Sequence, residues 1–177
     1  MSHFTFNWQQ EGETIFAQGW APAQPKAVVC IVHGFNEHST RYAHVADTLN
    51  NAGYAVLSYD GLGHGQTTGK RGHAPSYDAT LDSVGRIVEE AKTRYPGLKV
   101  FVYGHSMGGN IATNFVLRRQ PAIAGLVATG PLYKLGFEPP AIKVALAKIM
   151  VNIYPKFTEP ADLDINGLSR DKAVVDA

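Results

Sequence analysis

An α/β fold, with a mainly parallel sheet covered by helices on both faces, is what this sequence predicts, on three observations. Short apolar runs alternate with amphipathic stretches through most of the chain, and such alternation builds parallel sheets. One of the runs, Ala27-Val-Val-Cys-Ile-Val32, is nearly continuous and rich in β-branched residues, the mark of a strand buried on both faces. A third observation is local: the run 99–103 passes directly into Gly104-His-Ser-Met-Gly108 and then into a helical stretch.

The elements follow in order. Two alternating segments, 4–8 and 14–20, predict an antiparallel hairpin joined near Gly12. After the buried run at 27–32, Ser39 or Thr40 is placed to cap a helix. Its apolar positions Tyr42, Val45, Ala46 and Leu49 follow i, i+3, i+4, i+7, and 51–53 stops it. Residues 54–59 form the next strand. A second helix runs from about Asp78 to Tyr95, with Leu81, Val84, Val88, Ala91 and Tyr95 on one stripe and Pro96-Gly97 ending it. Residues 99–103 predict a strand, 107–119 a helix, and 123–129 a strand closed by Gly130-Pro131. Beyond Pro131 the alternation breaks. Pro139-Pro140 precedes 141–154, where apolar residues occupy most of the circumference between Lys143, Lys148 and Asn152. Such a helix either packs on the domain, with its lysine stems lying along the surface, or forms a lid over an apolar pocket that touches a lipid surface.

Composition excludes several classes of protein. The chain has 177 residues, 45% hydrophobic and 18% charged, so it holds a real core. Sixteen basic against 15 acidic residues leave a net charge of +1, without the one-sided positive field that nucleic acid requires. No apolar run approaches the ~18 residues of a membrane span, and the first residues lack the pattern of a secretory signal. The single cysteine, Cys30, belongs to no disulfide or metal-ligand pattern. His33 and His38 lack a third ligand, so no metal is expected. These features predict a soluble protein of the cytoplasm.

Chemistry concentrates at Gly104-His105-Ser106-Met107-Gly108, a G-x-S-x-G pattern between a strand and a helix. A nucleophile elbow needs this setting, because its turn leaves no room for side chains two residues either side of the serine. Glycine at 104 and 108 lets Ser106 adopt a strained backbone with its hydroxyl exposed. The helix beginning at Met107 turns its free amides and positive dipole end toward a developing anion. His33-Gly34-Phe35 ends the buried strand at the sheet's carboxyl edge, where it supplies a second donor loop. His33 there reads as structural, holding the loop by hydrogen bonds. The long stretch 61–77 reads as a loop at the same edge, with His64 and His73 as anchors. Its Gly61-Leu-Gly63-His-Gly65-Gln66 lacks the last glycine of a dinucleotide loop. Its Gly65-Gln-Thr-Thr-Gly69-Lys70 is one residue short of a phosphate loop, and Arg71 replaces the required hydroxyl.

Three motifs in order, His33-Gly-Phe-Asn-Glu-His-Ser-Thr-Arg-Tyr42, Asp60-Gly-Leu-Gly-His-Gly65 and Gly104-His-Ser-Met-Gly-Gly109, resemble the monoacylglycerol lipase and lysophospholipase group of α/β-hydrolases. The likeness extends weakly to Leu168-Ser-Arg170 and covers almost the whole chain. It implies an α/β-hydrolase core over 1–132, with an N-terminal hairpin, and a cap over 133–177. It also implies Ser106 as nucleophile and the Phe35 and Met107 amides as oxyanion hole, with Glu37, Arg41 and His105 shaping the polar end of the pocket. Apolar cap residues Ile142, Leu146 and Ile149 become candidates for contact with an acyl chain. The implied substrate is an ester of a single long acyl chain, hydrolysed without a cofactor, with the cap in peripheral contact with lipid.

In such enzymes the chain order is serine, acid, histidine. None of the seven histidines here follows Ser106, and Asp162, Asp164, Asp171 and Asp176 fall in the cap-like region. The resemblance therefore implies that this chain is the N-terminal part of the fold, lacking the last two strands and the acid and histidine they carry. Nearly no activity is expected of it alone, and an uncovered strand edge at 123–129 favours self-association. A non-catalytic binding protein, or a peptidase, thioesterase or acyltransferase of the same fold, are the alternative readings.

Overall fold

The computed structural model describes residues 2–136, 138–158, 170 and 172. Its hairpin pairs β1 (Ser2–Gln10) with β2 (Glu13–Ala21) across nine residue pairs. Glu11 and Gly12 both take positive φ, 53° and 78°, the two-residue turn whose twist suits a hairpin. The central strands are β3 (Ala27–Val32), β4 (Tyr54–Tyr59), β5 (Lys99–His105) and β6 (Gly125–Thr129), and they run parallel. Spatial order is β1-β2-β4-β3-β5-β6, with β2 antiparallel to β4. All six residues of β3 are buried, because it lies mid-sheet with helices on both sides.

Helices α1 (Ala43–Asn51), α2 (Tyr77–Arg94) and α3 (Met107–Arg119) cover the two faces. The larger core joins α2 and α3 to the sheet through Leu81, Val84, Ile87, Val88, Ile111 and Phe115. The smaller one joins α1 through Ala46 to Trp20, Ile31 and Val56. From β3 the chain crosses to β4 on one side, then from β4 to β5 on the other. The carboxyl ends of β3 and β5 thus flank a topological switch point, where open α/β sheets bind ligands.

Two local expectations change. Neither Ser39 nor Thr40 caps α1; they lie in a 3₁₀ turn, Ser39–Tyr42, and Tyr42 precedes the helix. The Ser39 hydroxyl is spent elsewhere, donating to Asp60 Oδ1 at 2.7 Å and accepting from Gln18 Nε2 at 2.6 Å. On α2 the cap is Ser76, whose hydroxyl accepts from the Ala79 amide at 3.0 Å. The apolar helix α4 (Ala141–Ile153) buries none of its residues, so it does not pack on the domain as one reading of its composition expected. Pro140 before it is extended, at φ −52° and ψ 131°, and its apolar residues follow no single stripe that one face of the sheet could cover. No helix among the described residues is long and apolar enough to cross a membrane. Among the described residues, strand β6 has one neighbour, β5, and its Val127 is half exposed.

Candidate active site

Ser106 sits where β5 turns into α3, at φ 52° and ψ −119°. For a non-glycine residue that backbone costs on the order of 1–3 kcal/mol. The surroundings hold it there. A Cβ on Gly104 would lie 2.4 Å from the Gly108 carbonyl oxygen. One on Gly108 would lie 2.1 Å from the Val32 oxygen and 2.4 Å from that of His33. Glycine at both positions is thus what lets α3 start against β3. The backbone of Ser106 is fastened as well: its amide donates to Thr129 O at 3.0 Å and its carbonyl accepts from the Leu132 amide at 3.0 Å.

Serine preceding a helix ordinarily turns its hydroxyl back onto a first-turn amide. Ser106 makes no such bond, although it is the N-cap of α3. Its strained backbone turns the hydroxyl off its own helix and leaves it without a hydrogen-bond partner among the described residues. The Met107 amide, first in the helix, also has no acceptor among them, and neither has that of Phe35.

The loop after β3 reaches Ser106 through Gly34, where a Cβ would sit 3.3 Å from the Ser106 Cβ. Glu37 shapes this loop. Its Oε2 accepts from the Gly34 amide at 2.9 Å and from the Tyr42 hydroxyl at 2.8 Å, while Oε1 lies 3.6 Å from Arg41 Nε. Burial pushes the Glu37 carboxyl up, but the Tyr42 hydroxyl, the Gly34 amide and the charges of Arg41 and His105 outweigh it and hold the carboxyl below its ordinary value. With the Gly34 amide consumed, Phe35 is the next one free. Arg41 thus pairs with Glu37, and His105 lies near enough for its charge to act on the same carboxyl. His105 Nδ1 meets both the carbonyl and the hydroxyl of Thr129 at 3.1 Å. Tyr42, which fixes Glu37, went unnoticed in the sequence, where it read only as an apolar position of the helix stripe.

His33 is buried and uses both ring nitrogens. Nδ1 bonds Gly34 O at 2.8 Å, and Nε2 accepts from the Gly61 amide at 2.9 Å, which selects the Nδ1–H tautomer. It ties the loop after β3 to the loop after β4. Burial lowers its pKa to about 4, partly offset by the Gly34 carbonyl. The unfolded state therefore takes up a proton below about 6.5 that the folded state refuses. Stability carried by neutral His33 is complete above that value and is lost as pH falls toward 4, by about 3 kcal/mol in all. Urea unfolding at pH 7.5 and pH 4.5 is expected to show a drop of this order. By NMR, the His33 ring should stay neutral at pH 5.

A cavity of about 210 Å³ is bounded by Phe35, Tyr59, Leu62, Ala74, Met107 and Ile111 among others. Ile142, Leu146 and Ile149 do not line it; they stand exposed on α4, at 71%, 54% and 53%. Asp162, Asp164, Asp171 and Asp176 lie outside the described residues, as do Leu168 and Ser169.

Comparison with known proteins agrees with this fold. Human monoglyceride lipase is 35% identical over 168 residues, which make up 94% of this chain and 55% of that enzyme. Monoacylglycerol lipase of Mycolicibacterium smegmatis is 34% identical over 167 residues, 94% of this chain and 59% of its own length. Among solved structures, the monoacylglycerol lipase of Paleococcus ferrophilus superposes with a TM-score of 0.80 at 34% identity, covering 92% of this chain and 60% of that one. The chain thus spans little more than half the length of these lipases. A family profile described as Hydrolase_4, serine aminopeptidase S33, matches residues 23–177. With its parallel sheet, its glycine-walled serine turn and that match, the chain belongs to this family of α/β-hydrolases.

Proposed function

We propose that this chain carries the nucleophile and oxyanion hole of a serine hydrolase acting on carboxylic esters of single-acyl lipids, a monoacylglycerol or a lysophospholipid. The observation that carries the reading is the Ser106 backbone: a strained residue whose hydroxyl does not cap its own helix. Ser106 Oγ gives its proton to a base and attacks the ester carbonyl, and the resulting oxyanion accepts from the Phe35 and Met107 amides at the positive end of α3. On collapse the alcohol leaves with that proton, and water then cleaves the acyl-serine to release the fatty acid. Glu37, Arg41 and His105 offer polar contacts to the head group. The lipases among the relatives support the choice of lipid ester. Residues 133–177 act as the cap, where Ile142, Leu146 and Ile149 are free to meet an acyl chain or a lipid surface. The location is the cytoplasm, and the open edge of β6 favours association between copies.

A serine of ordinary pKa needs a base. His33 cannot serve at neutral pH, since both nitrogens are engaged and its pKa lies near 4. Turnover by the 177-residue chain is therefore expected to fall about 10⁴–10⁶-fold below that of a complete triad. Added imidazole supplies the missing base. It is expected to raise hydrolysis of a p-nitrophenyl ester and labelling by a fluorophosphonate, with the mass increment on Ser106. Ser106→Ala should abolish both imidazole-dependent gains. Equal rates in the wild type and Ser106→Ala would leave a binding protein without a nucleophile as the surviving interpretation.

A further inference from the structure

Asparagine is a weak helix former, because its short amide competes for backbone hydrogen bonds. Asn110 nevertheless stands in the first turn of α3, four residues after Ser106. Its side chain is committed on both sides. Oδ1 accepts from the Tyr77 hydroxyl at 2.6 Å and from Asn114 Nδ2 at 3.3 Å, while Nδ2 donates to Leu132 O at 2.9 Å. Donors on one side and a carbonyl on the other fix which end of the amide is which.

Leu132 is held by polar bonds more than by packing, since its side chain is 40% exposed. Its amide donates to Ser106 O at 3.0 Å and its carbonyl takes the Asn110 bond. The Asn110 amide donates to the same Ser106 oxygen at 3.2 Å. One carbonyl oxygen thus collects two bonds, one directly from Asn110 and one from a residue that Asn110 holds. That oxygen belongs to the peptide unit whose other end is the Met107 amide. A peptide unit is planar, and in its trans form the N–H points opposite to the C=O; no peptide bond among the described residues is cis. Whatever fixes the Ser106 carbonyl therefore aims the Met107 N–H the other way. Bonds accepted by the carbonyl also polarise the unit and strengthen its donor. Ser106 sits at φ 52°, a costly backbone that persists only when its surroundings hold it.

From this we infer that Asn110 is a positioning residue for the oxyanion hole: acting through Leu132 and the Ser106 carbonyl, it sets the direction of the Met107 N–H. The role rests on the hydrolase reading above and adds what holds one of its two donors. Asn110 itself needs no contact with substrate.

Two variants test it. Asn110→Asp keeps the shape and the acceptor for Tyr77, but sets an oxygen against the Leu132 carbonyl. Asn110→Ala removes both bonds without adding charge. Thr113→Val is the control: it breaks the 2.8 Å bond between Thr113 Oγ1 and the Tyr133 hydroxyl and leaves the bonds of Leu132 alone. Imidazole-dependent hydrolysis of p-nitrophenyl butyrate is compared per site. Sites are counted by fluorophosphonate labelling carried to completion, so a loss of folded protein drops out. Both Asn110 variants are expected to lose about tenfold in kcat with KM within about twofold, because the hole acts on charge that develops only in the transition state. Deleting such a donor outright costs more, ~10²–10³-fold. Thr113→Val should stay within about twofold. In ¹H–¹⁵N spectra the Met107 and Leu132 amides are expected to shift in the Asn110 variants and to stay in place in Thr113→Val. Unchanged kcat per site in both Asn110 variants, a change in KM alone, an equal fall in Thr113→Val, or a Met107 amide that stays in place would overturn the role. If the wild type gains nothing from imidazole over Ser106→Ala, it is the hydrolase reading that fails, and the amide shifts alone then decide whether Asn110 holds the Met107 peptide.

Discussion

Valine in place of Gly108 is expected to prevent this chain from reaching its fold, or to cost more than about 3 kcal/mol, a large share of the ~5–15 kcal/mol that holds a domain together. The atoms in the way are backbone. A Cβ at 108 would stand 2.1 Å from the Val32 oxygen and 2.4 Å from the His33 oxygen, and neither can rotate aside as a side-chain end could. To make room, α3 would have to lift from the end of β3, opening the core around Ile111 and Phe115. Gly104→Ala is expected to act in the same direction, since its Cβ would meet the Gly108 carbonyl at 2.4 Å. Gly136→Ala is the control: nothing lies within 4 Å of the added carbon, and the change should stay within about 0.5 kcal/mol. Urea midpoints by circular dichroism compare the three. A Gly108→Val chain with the wild-type midpoint would show that α3 does not start against β3.

Asp60→Ala is expected to cost about 3–5 kcal/mol. The carboxylate is fully buried and accepts from the Ser39 amide, the Ser39 hydroxyl and the Gln66 amide, each at 2.7 Å. Alanine would orphan the two buried donors of Ser39, each at a cost of about 1–3 kcal/mol, and release the Gln66 amide at the more exposed end of the carboxylate. The loss would spread in two directions, into the turn that precedes α1 and into the loop 61–76. Amide exchange at Ser39 and Gln66 should speed up well before global unfolding. Asp60→Asn keeps the volume and one carbonyl oxygen but turns an NH₂ toward a donor, so an intermediate loss is expected. Equal stability of Asp60→Ala and the wild type would remove the carboxylate as the tie between these loops.

Much of the fold was legible because burial leaves a periodic trace. Ala27–Val32 is buried along its whole length, and a strand with no polar face has few other places to go than mid-sheet. The serine turn was legible for a partly local steric reason: the Gly104 position is closed by the Gly108 carbonyl of the same turn, whereas the Val32 and His33 oxygens that exclude a side chain at Gly108 come from a distant strand. The Ser39 misreading shows the opposite case. Its hydroxyl suits a helix cap locally, yet a carboxylate 21 residues away takes it, and nothing in the spacing announces that partner. Glu37 and Tyr42 belong to the same class, joined only once the loop has closed. The fate of α4 was likewise open, because an apolar composition says that a helix seeks cover without saying where the cover is.

Ser106 is stitched to more than its own helix. Its amide holds Thr129 and its carbonyl holds Leu132, while Asn110 Nδ2 reaches Leu132 O at 2.9 Å. Those two residues are the last of β6 and the first steps of the strap that leads out to α4. Tension on that strap is therefore delivered to position 106 itself: either the stitches part, or the serine hydroxyl is re-aimed along with them.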